Sequence, residues 1–91
     1  MNGRPDGRAR LGPFVVYVLL FLKDGIKYIG YTGFFSKRMR EHIRGKSQYT
    51  SRKGNFKLVY TEIFRIKSEA KKRELYLKTR TGRRFLDEIL D

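Results

Sequence analysis

The sequence predicts an α/β fold: a small three-stranded, mainly antiparallel sheet with flanking helices. Three observations carry that reading. Residues 15–22 form an unbroken run of β-branched, aromatic and aliphatic side chains that suits a strand buried on both faces. An Asp24-Gly25 pair follows it, and Asp-Gly tolerates the positive φ of a tight hairpin loop. Beyond it, apolar residues recur every four positions and polar caps stand ahead of them, as in helices.

Length and charge bound the rest. Ninety-one residues make one domain. A chain of that size buries roughly 60–65% of the surface its unfolded form exposes. Twenty-two Lys and Arg against nine Asp and Glu leave a net charge of +13. Such an excess repels itself in a compact state, so a polyanionic partner is the economical explanation, with nucleic acid ahead of anionic membrane. A basic surface that merely aids solubility is the bland alternative. No cysteine is present, which excludes disulfides and thiolate metal sites, and one histidine cannot build a zinc site alone. The longest apolar run is far short of a membrane span, and the first residues lack the apolar stretch of a signal peptide. The expected location is therefore the cytoplasm, at the nucleoid.

Residues 1–13 are rich in Gly, Arg and Pro and read as a disordered basic arm, or as an incidental extension, ahead of one domain at 14–91. With a two-residue loop at Asp24-Gly25, the returning strand at 27–31 pairs Tyr28 with Phe21 and position 32 with Tyr17. Tyr17 and Tyr28 then project from the same face. Ser36 is a plausible N-cap and Gly45 a plausible stop for a first helix, whose core stripe is Phe35, Met39 and Ile43. Arg38 and His42, also four apart, form a second stripe at the border of the buried face. There they suit a catalytic cleft; a basic helix with a surface imidazole is the alternative. The exposed cations Lys37, Arg40 and Arg44, with Lys46, Tyr49, Thr50, Arg52 and Lys53 in the polar segment that follows, suit contacts to a phosphate backbone. That segment also reads as a plain solvated loop.

Residues 57–64 read as the third strand, with Leu58, Val59 and Tyr60 inside. Ser68 caps a second helix that runs to about Thr79, and Gly82 marks a break before a final helix at 83–90. Glu74 lies four residues after Ala70 and three before Leu77, on a stripe that faces inward. A carboxylate there is costly unless cations or hydrogen bonds compensate. It is either a metal ligand or a salt-bridge partner of Lys71, Arg73 or Lys78.

Taken together, Tyr17, Tyr28-Ile29-Gly30, Arg38, His42 and Glu74 resemble the GIY-YIG nuclease family over about residues 14–86. The likeness is to its compact stand-alone bacterial members and to the nuclease module of the excision-repair incision subunit. The second half-motif is intact, whereas Val15-Val16-Tyr17 keeps only the tyrosine of the first. Many relatives carry an asparagine or similar residue about twelve positions after the glutamate; here Leu86 stands there. The resemblance implies a metal-dependent nuclease in which Tyr17, Tyr28, Arg38, His42 and Glu74 are catalytic and a tyrosine accepts the proton of the attacking water.

The residues suit that chemistry on their own terms. Glu74 is the one carboxylate placed to hold a hard cation, Mg²⁺ or Mn²⁺, completed by water and substrate phosphate. Arg38 offers a permanently charged fork to phosphate oxygens. Tyr17 and Tyr28 can hydrogen-bond a water, and His42 can relay a proton or orient a tyrosine. The expected activity is Mg²⁺-dependent DNA endonuclease, linked to structure or damage and to DNA repair, on branched, nicked or single-stranded DNA. A non-catalytic nucleic-acid-binding protein on the same fold is the alternative, and a ribosome-associated RNA-binding protein a weaker one.

Overall fold

The computed structural model describes residues 12–45 and 54–90. The arm, apart from Gly12 and Pro13, and the candidate contacts Lys46, Tyr49, Thr50, Arg52 and Lys53 lie outside the described residues. Three strands, β1 (Phe14–Phe21), β2 (Lys27–Thr32) and β3 (Phe56–Phe64), form one antiparallel sheet in the order β2-β1-β3. Three helices complete it: α1 (Phe35–Ile43), α2 (Lys67–Leu77) and α3 (Arg80–Leu90). The most apolar run is the central strand, as expected, because only there are both faces and both edges covered.

Alternation along β1 sends its side chains to two separate cores. Phe14, Val16 and Val18 pack with Ile29 of β2 and with Ala70, Leu77 and Leu86 of α2 and α3. Val15, Tyr17, Leu19 and Phe21 meet Phe35 and Met39 of α1 on the other face. Leu77 and Leu86 are wholly buried, and each such side chain contributes roughly 1.5–3 kcal/mol relative to an exposed one.

The hairpin register differs from expectation by two residues. Tyr17 pairs with Gly30 and Leu19 with Tyr28. The connection is the four residues 22–25, closed by Gly25 N–H donating to the Phe21 carbonyl at 2.8 Å, with Gly25 at φ 73°. Asp24 adds its own tether by accepting the Ile26 N–H at 3.0 Å. A shift of two keeps every side chain on its face, so Tyr17 and Tyr28 still share one.

A bulge in β3 does what the sequence pattern did not announce. Val18 pairs with Tyr60 but Leu19 with Leu58, leaving Val59 as an extra residue. Everything before Val59 thereby switches face. Phe56 lands against Phe21 on the α1 side, ring centroids 5.7 Å apart, while Tyr60 and Phe64 stay with α2 and α3. Leu58, within the strand as expected, is 44% exposed.

The helix ends also differ from the sequence reading. Neither Ser36 nor Ser68 caps; the N-cap positions are Phe34 and Ile66, without side-chain cap bonds. Phe34 N–H instead donates to Thr32 Oγ1 at 3.0 Å, which ties the start of α1 to the end of β2. The break between α2 and α3 falls at Lys78 and Thr79, not at Gly82. Thr79 Oγ1 accepts the Gly82 N–H at 3.1 Å, a hydroxyl cap for α3. Gly82 is a close-approach residue: a Cβ there would lie 2.1 Å from the Tyr76 carbonyl oxygen and 2.5 Å from Leu77 Cα. Arg73 fastens α2 to β3 by a two-pronged ion pair with Glu62, both contacts 2.8 Å, and Tyr60 O–H donates to the same carboxylate.

Candidate active site

Tyr17 stands at the centre of the site face. It is 1% exposed, and its phenol lies over the backbone of Gly30. A Cβ on Gly30 would come within 2.7 Å of the phenol oxygen. The glycine of Tyr28-Ile29-Gly30 is thus needed for space: it makes the hollow that receives Tyr17.

The phenol oxygen meets Nε2 of His42 at 3.0 Å. His42 reaches it because the inward stripe of α1 is Phe35, Met39 and His42, spaced four and then three. Ile43, expected in the core, is 73% exposed, and His42, whose alternative reading was a surface imidazole, is 1% exposed. Gly45, at φ 70°, closes the helix as expected, its N–H donating to the His42 carbonyl at 3.0 Å. Tyr28 adds a half-buried third ring, its centroid 5.5 Å from that of His42 and 6.2 Å from that of Tyr17. Phe35 and Phe56 wall the cluster, Phe56 edge-on to His42 at 6.2 Å. Phe56 was not singled out as a site residue, since only the bulge turns it to this face.

Electrostatics follow from burial. The Tyr17 phenol is pushed well above its ordinary value by desolvation and by neighbouring Tyr28, against a downward pull from the Arg38 guanidinium. His42 is held below the ordinary imidazole value by burial and by Arg38, with Glu41 opposing weakly. A neutral ring therefore faces a protonated phenol across the 3.0 Å contact. The other ring nitrogen, Nδ1, is buried and has no hydrogen-bond partner among the described residues. Such an orphan costs about 1–3 kcal/mol. Arg38 lies at the rim, 42% exposed, its guanidinium on the Glu41 carboxylate at 3.1 Å. Glu41 holds it more firmly charged. Lys37, Arg40 and Arg44 are exposed along the same helix.

Glu74 is placed differently. It rides on α2, which packs on the opposite face of the sheet, and its side chain is 14% exposed with Oε2 on Lys78 at 3.2 Å. Of its three possible cationic neighbours, Lys78 is the partner, while Arg73 serves Glu62. Four of the five candidate residues thus gather on one face, and the fifth rides on a helix of the other layer. Among the described residues no three His, Asp or Glu side chains converge as a metal cage. A single carboxylate beside water and substrate oxygens is nonetheless the donor set Mg²⁺ accepts, so Glu74 fits that kind of ion. Leu86, where many relatives carry a polar residue, is buried in the core.

The profile of the GIY-YIG catalytic domain matches residues 13–86. The chain belongs to the GIY-YIG family. It is 41% identical over 75 residues to a UPF0213 protein of Clostridium perfringens, covering 81% of this chain and 80% of that one. A UPF0213 protein of Bacillus licheniformis is 36% identical over 76 residues, covering 79% and 78%. The solution NMR structure of a UPF0213 protein from Bacillus halodurans superposes with a TM-score of 0.54 at 37% identity, covering 84% of this chain and 83% of that one. UPF0213 is a small stand-alone branch of the GIY-YIG family. A GIY-YIG catalytic domain implies a nuclease, hence a hydrolase with a nucleic-acid substrate, and the family generally uses divalent metals.

Proposed function

We propose that this protein is a Mg²⁺-dependent DNA endonuclease that hydrolyses phosphodiester bonds and recognises DNA structure or damage more than sequence. The observation that carries it is the meeting of Tyr28, the Tyr17–His42 pair and Arg38 on one sheet face of a GIY-YIG chain. Mere binding of a polyanion needs no phenol bonded to a buried neutral imidazole. No described helix is long and apolar enough to cross a membrane, and the reading places the activity in the cytoplasm, on nucleoid DNA.

Roles follow from exposure. Tyr28 is the phenol that meets the attacking water, because Tyr17 is closed off and already bonded to His42. Tyr17 and His42 are positioning residues: they fix the Tyr28 ring from behind and offer a hydrogen-bonded pair across which a proton can shift. Arg38, at the rim, sets a permanent charge against the phosphate oxygens as negative charge develops in the transition state. Its pair with Glu41 is half-exposed and exchanges for phosphate at little cost. Glu74 would hold the divalent ion, releasing Lys78, and the ion would supply Lewis-acid polarisation of the phosphate.

The test incubates linear, nicked and branched DNA with wild type and with Glu74→Gln, with and without Mg²⁺ and EDTA. Wild type should cut only with the metal. Glu74→Gln should fold and bind DNA as well or better, having lost an anion beside the phosphate, yet fail to cut at ordinary Mg²⁺ concentrations. Cleavage in EDTA, or an active Glu74→Gln protein, would overturn the metal mechanism. Tight binding with no cleavage of any DNA would favour the non-catalytic alternative.

A further inference from the structure

The basic residues singled out in the sequence all belong to α1 and the segment after it, yet the opposite side of the molecule carries its own concentration of cations. Lys78, Arg80, Arg83 and Arg84 line one cleft of about 570 Å³ at the corner where α2 turns into α3, with Asp87 as the single acid. Arg83 and Asp87 also line a smaller cleft of about 230 Å³ with Gly25, Ile26, Lys27 and Leu86. The two clefts thus share a wall, and the Lys27–Asp87 pair at 3.0 Å joins them. A track of positive charge runs from the end of α2 to the β1–β2 turn.

We propose that this track is a second anchor for nucleic-acid phosphate backbone, separate from the contacts of α1. The inference rests on the nuclease reading and extends it to where the substrate lies. Charge complementarity is the first reason: five cations face one aspartate, and Arg80 and Arg84 have no ion pair among the described residues. Folding leaves them free although stability alone would favour partners, since like charges this close repel. Fixed placement is the second reason. Arg83 Nε donates to the Lys78 carbonyl at 3.3 Å, so its guanidinium is held across the corner. Arginine offers planar, two-pronged contacts suited to phosphate oxygens. Continuity with the candidate site is the third. Lys78, which opens the track, is the residue whose ammonium sits on Glu74. A backbone lying in the track therefore runs beside the carboxylate assigned to the metal and draws Lys78 from it.

The track and the exposed cations of α1 lie on opposite faces of the sheet. One straight backbone cannot occupy both, so the fitting partner presents two backbone segments, as branched DNA does.

The experiment measures binding of a three-way DNA junction in EDTA over a range of salt, which separates it from any result on cleavage. Each lost phosphate contact flattens the slope of log K against log salt by about 0.9. Arg80→Glu with Arg84→Glu should flatten it by roughly 2. Arg80→Gln with Arg84→Gln, which adds no repulsion, should do the same. Lys57→Glu with Lys67→Glu, an equal change of net charge on exposed residues outside the track, should leave the slope nearly as in wild type. An unchanged slope in both Arg80/Arg84 variants, or the same flattening in the Lys57/Lys67 control, would overturn the anchor. So would a preference of the track for anionic phospholipid vesicles over the junction. Failure of wild type to cut DNA, with these slopes as expected, would sink the nuclease reading and leave the anchor standing.

Discussion

Neighbouring residues of one strand, Val16 and Tyr17, sit in two cores built on different rules. Val16 faces Ala70, Leu77 and Leu86, in a layer whose buried side chains are all apolar and in which Gly82 lies close against the backbone of Tyr76 and Leu77. Tyr17 faces Tyr28, Phe35 and His42, an aromatic layer holding polar atoms, one of which has no partner among the described residues. The buried side chains of the first arrangement contribute stability and carry no reactive group; Glu74 lies on the same helix as Ala70 and Leu77 but outside that cluster. The second gives up part of that stability, since a buried imidazole nitrogen without a partner is a cost, and keeps groups that can move protons. Side-chain alternation along β1 lets one short chain keep the two kinds of core apart, while Glu74 rides on the helix of the first.

The largest effect that would test this division belongs to Arg38 at the rim of the polar face. Arg38→Ala should reduce single-turnover DNA cleavage by roughly 10²–10³-fold, the size seen when one transition-state donor is removed. Thermal stability should hardly change, since its ion pair with Glu41 is half-exposed. If affinity and turnover fall by the same factor, Arg38 is one more cation of the basic surface and the polar face loses its chemical role.

Two glycines set the faces against each other more directly. Gly82→Ala drives a methyl into backbone that cannot yield, and should lower unfolding free energy by roughly 1–3 kcal/mol in urea titrations. Gly30→Ala meets the end of a side chain, which can swing away. It should cost less stability than Gly82→Ala but displace the Tyr17 phenol from His42, lowering cleavage. Equal stability losses with unchanged cleavage for Gly30→Ala would show that the Tyr17–His42 contact is only packing.

A pH titration makes the same comparison without touching DNA. His42 is held below the ordinary imidazole value of 6.5, by burial first and by Arg38 second. Below pH 6.5 the unfolded chain binds a proton at this residue that the folded chain refuses. The unfolded state is then the more protonated one, so stability is whole above pH 6.5 and declines as pH falls through and below it. Urea midpoints measured between pH 7.5 and 5.5 should show the decline in wild type and lose most of it in His42→Phe. An identical pH dependence in the two proteins would mean the imidazole is solvated after all.

Much of this was legible in the sequence. Strand identity at β1 followed from composition, since only a doubly covered strand can be wholly apolar. The shared face of Tyr17 and Tyr28 survived a wrong loop length because the error was an even number of residues. The site beyond the tyrosines was less legible, for physical reasons. The bulge at Val59, which delivers Phe56, depends on pairing across strands rather than on any local pattern. The cap at Thr79 and the close approach of Gly82 look, in sequence, like an ordinary glycine break. The cations of the α2–α3 corner were passed over because a helix rich in Lys and Arg reads as a solvated face until its neighbours are known.

The smallest effect is expected where the α1 stripe was misjudged, at Ile43. A four-residue spacing from Phe35 through Met39 points to Ile43, and hydrophobicity agrees. A helix of 3.6 residues per turn drifts, however, and seven residues from Phe35 complete two turns more closely than eight do. Position 42 therefore faces the sheet, and the imidazole found there bonds to Tyr17. Ile43, 73% exposed, has little burial to lose. Ile43→Lys should change unfolding free energy by no more than about 0.5 kcal/mol, whereas Met39→Ala, within the packed cluster, should cost roughly 2 kcal/mol or more. A loss at Ile43→Lys as large as that at Met39→Ala would place Ile43 in the core. It would also undo the claim that the polar face gives up an aliphatic position to hold a histidine.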